Sequence, residues 1–333
     1  MSTTPTVRHI PDRLDKPLTS ILLSWESLLV LIAVAIFIAN SLASPYFLDI
    51  YALSDLTFNF SEKALIALAM ALLIISGEID LSVAATMAMA STLMGFAAQY
   101  GLGTIGLVMI GIAVGLACGA FNGFLVTGLS LPSIVVTIGT MSLFRGVSFI
   151  ILGDQAYKGY PASFAFFGQG YVWGVISFEF ALFLVAAVLY WFVLHRTNFG
   201  RRIFAIGNNH VTAQFSGVRV KRIKFILFCL TGLMAGVASI LLTSRLGSTR
   251  PSIAQGYELE AITMVVLGGV SILGGAGSIV GVVLAAFIMG LVTFGLGLLN
   301  VPGIVMSIFI GLLLIIIIAL PILWRRYGWL IAS

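Results

Sequence analysis

LGTIGLVMIGIAVGLACG, residues Leu102–Gly119, passes without one charged side chain, over nearly the roughly 20 residues that an α-helix needs to cross the hydrocarbon of a bilayer. Leu28–Ala39 and Ile304–Leu320 have the same character. A water-soluble core built from 333 residues could not hide all three. The whole chain agrees: 60% of residues are hydrophobic and 9% charged, against about 25% charged in soluble domains. Its 36 glycines and 9 prolines would indicate disorder in a polar chain. Here the glycines sit inside apolar segments, where they let helices approach closely.

We therefore expect an all-α polytopic membrane protein. Apolar segments run at about 27–45, 56–76, 81–99, 102–127, 131–152, 172–194, 223–244, 258–273, 277–299 and 302–323, about ten transmembrane helices. Charge tests that count, because cytoplasmic loops carry an excess of Lys and Arg. Of the 17 Lys and Arg, twelve fall in three clusters: Arg8, Arg13 and Lys16; Arg196, Arg201, Arg202, Arg219, Lys221, Arg222 and Lys224; Arg325 and Arg326. The clusters precede the first segment, follow the sixth and follow the tenth. An even count puts all three on the cytoplasmic side, so both termini are expected there. Residues 1–26 read as an uncleaved tail, 27–323 as the membrane domain with a cytoplasmic loop at 195–222, and 324–333 as a second tail. The loop divides the segments into two halves. An offset of five would make those halves an inverted repeat, the arrangement that places transporter sites between repeats.

Several function classes drop out. Cys118 and Cys229 lie in apolar segments, and His9, His195 and His210 are scattered, so neither a disulfide framework nor a metal site is expected. The net charge of +5 is explained by topology rather than by nucleic acid. No Gly-Lys dipeptide occurs, which excludes the phosphate-cradling GxxxxGK[ST] loop, and no nucleophile, base and orienter stand together. The chain is not expected to be an enzyme.

Local patterns nominate positions. Gly111, Gly115, Gly119 and Gly123 line one stripe of the fourth segment, a small-xxx-small ridge for a seam within one subunit or between two. In FGRRIFAIGNNHVTAQFSGVRVKRIKF, Phe199–Phe225, Asn208 or Asn209 can cap a short helix through His210 to Phe215, and Gly217 can end it. Glu78 and Asp80 flank apolar spans, where ionised groups face protein or water; Asp80 is either an N-cap of the third helix, with Leu81 onward helical, or a solute or gate contact. Arg145 lies inside the fifth segment and either pairs internally or lines a wet path. Gly268, Gly269, Gly274, Gly275 and Gly277 form either a tight turn or a broken helix beside a pathway. The loops at Asp154–Pro161 and Arg245–Glu260 hold most polar groups of the other side.

These stretches form an ordered series. GEIDLS at Gly77, NGFLV at Asn122, LPSIVVTIGTMSLFRG at Leu131, GRRIFAIGNN with AQFSGV in the central loop, and GYELEAITMVVLGGVSILGGAGSIVG at Gly256 resemble the permease subunits of bacterial ABC importers of the branched-chain and ribose, rhamnose or xylose type. Glu78 stands where that family has a glycine, and Ala84 where it usually has another. The resemblance implies the path for a monosaccharide or sugar-like solute in the bacterial inner membrane. Its implied partners are a separate ATPase subunit, which would hold ATP and Mg, a periplasmic or lipid-anchored solute-binding protein, and a second copy of this chain or a related permease. It also implies that Gly207, Asn209, Ala213 and Gly217 contact the ATPase or shape the coupling loop, with no cofactor on this chain. Branched-chain amino acids are the solute of the family's other branch. An ion-coupled secondary transporter remains the competing class; it would require mid-membrane acids or broken-helix carbonyls and would leave the capped basic loop without a purpose. A non-transporting scaffold explains least.

Overall fold

Capping and glycine chemistry set the helix ends. In the computed structural model, which describes residues 24–312 and 315 except 154 and 173, the elements are α1 (Trp25–Ala43), α2 (Ile50–Ile75), α3 (Val83–Gln99), α4 (Thr104–Thr127), α5 (Ser133–Leu152), α6 (Phe166–Gln169), a two-stranded hairpin of β1 (Tyr171–Val172) and β2 (Ile176–Ser177), α7 (Phe178–Arg196), α8 (Asn198–Asn208), α9 (His210–Phe215), α10 (Val220–Leu246), α11 (Tyr257–Leu267), α12 (Ile279–Leu298) and α13 (Gly303–Leu312). Among the described residues, seven helices are long and apolar enough to cross a membrane: α1, α2, α4, α5, α7, α10 and α12. The tails with Arg8, Arg13, Lys16, Arg325 and Arg326, and the end of the tenth expected segment, lie outside the described residues.

α2 is the axis of the molecule. Asp49 caps it by accepting from the Tyr51 and Ala52 amides, and Gly77, at φ +84°, turns the chain away after Ser76. Nearly every residue from Phe60 to Ile75 is buried, because α10, α7, α12 and α11 all pack around it. Phe60 is the aromatic centre, edge-on to Phe180 and Phe183 and tilted on Phe287. A helix hydrophobic all round needs such a complete coat. α1, by contrast, leaves most of its surface bare and is tied on by Asn40 Nδ2 donating to Leu291 O at 2.8 Å and Trp25 Nε1 to Leu267 O at 2.9 Å.

The α4 ridge faces α10. A Cβ on Gly115 would reach within 2.7 Å of the Gly236 Cα, one on Gly119 within 2.9 Å of the Gly232 Cα, and one on Gly111 within 2.6 Å of the Ile240 side chain. The ridge therefore forms a backbone-to-backbone seam inside one chain, met by small residues on the partner helix as well.

Two sets of elements repeat a pattern: a long helix, an irregular segment, a short helix and a long helix. The first is α2, residues 76–82, α3 and α4; the second is α10, residues 247–256, α11 and α12. They are interlocked, with α2 on α12 and α10 on α4.

Three expected boundaries move. The second segment, expected at 56–76, begins at Ile50 because Asp49 supplies a cap the hydropathy pattern does not register. The sixth, expected at 172–194, begins at Phe178, since residues 171–172 and 176–177 pair as the strands of the hairpin and Ser177 caps α7 through the Phe180 amide. The eighth, expected at 258–273, stops at Leu267, where the left-handed Gly269, at φ +84°, follows.

Candidate functional site

The central loop folds into two helices set against the ends of three others. α8 buries Gly200, Ile203 and Ile206 and turns Arg201 and Arg202 outward, a period the apolar pattern alone does not mark because the helix spans only three turns. At its end Gly207 meets the backbone of Ile75 and Gly275 so closely that a Cβ there would fall on the Ile75 carbonyl oxygen. The Gly275 amide donates to that same carbonyl at 2.9 Å. Gly207, Gly274 and Gly275 thus pin the loop to the end of α2. The glycine-rich segment 268–278 is a tight turn, closed by Gly274 N to Ser271 O at 2.9 Å and Ser271 N to Ala276 O at 3.0 Å. Gly268 seats the start of α12, where a Cβ would lie 2.6 Å from the Val282 amide, and Gly269 accommodates the Trp25 ring. This cluster shapes the floor of the central loop rather than a broken helix.

α9 spans His210–Phe215, with Asn209 as its cap: Asn209 Oδ1 accepts from the Val211 and Thr212 amides, both at 3.0 Å. Gly217 closes it at φ +82°, and the Val218 amide donates to Ala213 O at 3.1 Å, a left-handed helix stop. Ala213 is buried beneath the helix. Of the four family-implied positions, Ala213 is buried, Gly207 lies against the end of α2, and the exposed Asn209 and Gly217 cap and close α9. The large apolar side chains turned outward are Phe215, 89% exposed, and Val211, 48% exposed. Removing the cap with Asn209→Ala is expected to cost about 1 kcal/mol of α9's local stability, seen as faster amide exchange at Val211 and Thr212 with membrane insertion unchanged.

Beside α9 lies a cavity of about 970 Å³, bounded by the end of α2, the turn between α4 and α5, and the start of α10. Glu78 reaches into it and forms an ion pair with Lys224. Asp80 is buried nearby and accepts from the Ser82 amide at 2.8 Å and the Ser82 hydroxyl at 2.7 Å; Asn122 Nδ2 donates to that hydroxyl at 2.7 Å. α3 starts at Val83, with Ser82 as its cap residue. The expected N-cap at Asp80 with Leu81 onward helical is corrected by two residues: the carboxylate orders the turn ahead of the helix.

The opposite face carries polar groups that sequence reading passes over. Glu62 on α2, fully buried, accepts from Arg245 Nη2 at 2.5 Å and from the Tyr257 hydroxyl at 2.9 Å. Lys63 pairs with Glu260 at 2.7 Å and lies 4.5 Å from the Tyr257 ring centre. Glu179, in the first turn of α7, is buried close by, and among the described residues neither carboxylate oxygen has a hydrogen-bond donor. Three cavities of about 380, 350 and 480 Å³ meet at Arg245. Glu62 and Glu179 are thus buried acids of the apolar helices beyond the Glu78 and Asp80 that flank them. Arg145 is a clamp on the same face, its Nη1 donating to Pro251 O at 2.7 Å and Ile253 O at 2.8 Å. It holds segment 247–256, in which Ala254 sits at φ +58°. The long sequence separations of these partners left only lone charges to read.

Comparison with known proteins bears on this arrangement. The family model described as the branched-chain amino acid transport system permease component matches residues 52–318. The chain is similar to the ribose import permease protein RbsC of Bacillus subtilis (strain 168), 35% identical over 84% of this chain and 87% of that protein. It is also similar to the autoinducer 2 import system permease protein LsrD of Salmonella typhimurium, 33% identical over 89% of this chain and 90% of that protein, and to LsrD of Photorhabdus temperata, 32% identical over 92% and 95%. No solved structure gives a significant match.

Proposed function

The chain belongs to the branched-chain amino acid transport system permease family, and on that footing we propose that it is the membrane-spanning subunit of a sugar ABC importer. The relatives are named as permeases for ribose and autoinducer 2, which supports a monosaccharide or a related small polyhydroxylated solute. The inner membrane of a bacterium is the location this function requires. ATP and Mg belong on a partner ATPase, and a solute-binding protein delivers cargo to the face opposite the basic loop. A second copy of the chain or a related permease completes the path.

Ten crossings are the topology we favour, with α3, α11 and α13 joining the seven long helices and both termini on the basic side. The interlocked sets α2–α4 and α10–α12 support an inverted repeat. On this topology Glu78, Asp80 and the α9 loop lie at the cytoplasmic face, while Arg145, Arg245 and segment 247–256 lie toward the outer one.

The observation that carries the coupling role is α9 itself. A six-residue helix capped at both ends, pinned by Gly207 and Ala213, presents Phe215 almost wholly bare on a charged face. An aromatic so placed is suited to a partner's pocket. Movement of that partner would then bias the permease between its inward-open and outward-open states, since Gly207 links α9 to the end of the central helix. A photo-crosslinking residue at position 215 should capture the ATPase subunit in native membranes. Phe215→Ala should weaken the association by about 2 kcal/mol, roughly 30-fold, with insertion unchanged; full association and uptake by this variant would remove α9 from the interface.

A further inference from the structure

The 970 Å³ cavity on the basic face has a charge inventory that the coupling role does not use. Arg219, Lys221, Arg222 and Lys224 line it together with His210. Its one acid among the described residues, Glu78, is already paired with Lys224, and the Lys221 ammonium donates to the Ser130 hydroxyl at 3.3 Å. Among the described residues neither Arg219 nor Arg222 meets a carboxylate. These cations cluster at the start of α10, the end of a helix where negative charge is favoured and positive charge is not. Orientation of the spans accounts for basic residues on this face. It does not account for their surrounding a hollow.

The other wall of the hollow is apolar, formed by Val126, Leu131, Pro132 and Val218. At about 30 Å³ per water the space equals roughly thirty waters, far more than a free phosphate fills. A cationic rim beside an apolar wall fits a molecule with an anionic end and a hydrocarbon end.

We infer that this cavity binds an anionic phospholipid, its phosphate held by Arg219 and Arg222 and its glycerol and upper acyl segments against the apolar wall. The Glu78 carboxylate competes with that phosphate for Lys224. The inference rests on membrane insertion alone and is independent of the importer reading.

The test uses the full-length chain in nanodiscs of phosphatidylcholine mixed with phosphatidylglycerol, with lipids retained on release counted by native mass spectrometry. The wild type should retain phosphatidylglycerol in preference to phosphatidylcholine. R219Q/R222Q should lose that preference by roughly tenfold or more, the scale of two cations acting near a membrane surface. E78Q, which removes the charge paired with Lys224 and frees that lysine for the phosphate, should raise retention. R201Q/R202Q, which removes two cations of the same face outside the cavity, should leave it unchanged. Equal loss in R201Q/R202Q would reduce the effect to general surface charge and overturn the site. Displacement of the lipid by millimolar inorganic phosphate would reassign the cavity to a free anion, and retention unaffected by R219Q/R222Q would refute it outright.

Discussion

Arg245→Met should cost this protein about 3–5 kcal/mol, the usual consequence of stranding one member of a buried ion pair. Glu62 is fully buried, and its carboxylate is held by the Arg245 guanidinium and the Tyr257 hydroxyl. Without the arginine the charge is left with Lys63, which is already paired with Glu260, in a medium where an ion is expensive. The protein should aggregate at a much lower temperature in mild detergent, and uptake should fall with it. Glu62→Gln keeps a hydrogen-bond acceptor for Tyr257 and removes the charge. The double variant E62Q/R245M should therefore recover most of the loss, because replacing a buried pair as a whole is often close to neutral. A double variant no more stable than R245M would show that Arg245 acts through Asn59, whose Oδ1 accepts from Arg245 Nη1 at 3.3 Å, and the surrounding cavities rather than through Glu62.

The second large effect lies on the seam between α4 and α10. Gly115→Leu places a branched side chain where even a Cβ meets the Gly232 carbonyl oxygen and stands 2.7 Å from the Gly236 Cα. Backbone cannot rotate aside as a side chain can, so the two helices must separate. Gly115→Ala alone should cost at least the usual 1–3 kcal/mol of an overpacked core, about one methyl's worth of displacement, and Gly115→Leu should abolish accumulation of folded protein. Gly139 and Gly146 on α5 are the internal comparison, because among the described residues a methyl at either position would meet nothing within 4 Å beyond its own turn of helix. Alanine there should leave the subunit's thermal stability unchanged. If those variants lose the proposed pairing with a second permease while subunit stability is kept, the interface lies on that face of α5.

Much of this was readable in the chain. The cap and stop of α9 were legible because Asn209 and Gly217 act on backbone groups within three or four residues of themselves. The ridge on α4 was legible because a repeat of four residues on a helix is a geometric stripe, whatever packs on it. The network at Glu62 was not. Its arginine lies 183 residues away and its tyrosine 195, and each reads alone as a charge or ring near the end of an apolar segment. Starting the second segment at 56 also placed Glu62 near a membrane boundary. Asp49 begins the helix at Ile50, which moves Glu62 more than three turns into α2.

The class of solvent, the clustering of basic residues in three stretches, the central loop's short helix and the family series of motifs all come from the linear chain. Each depends on hydropathy, charge count or local hydrogen bonding, quantities that a chain possesses before it folds. Folding in three dimensions had to settle the rest: which helix receives the glycine ridge, that Gly207 and Gly275 lock the loop to α2, that Arg145 clamps a distant segment, and that Arg245 neutralises Glu62. Those are matters of which surfaces meet. In a bilayer, where apolar segments gain little from one another by hydrophobicity, meeting is governed by close packing and by the few buried polar groups that must find a partner.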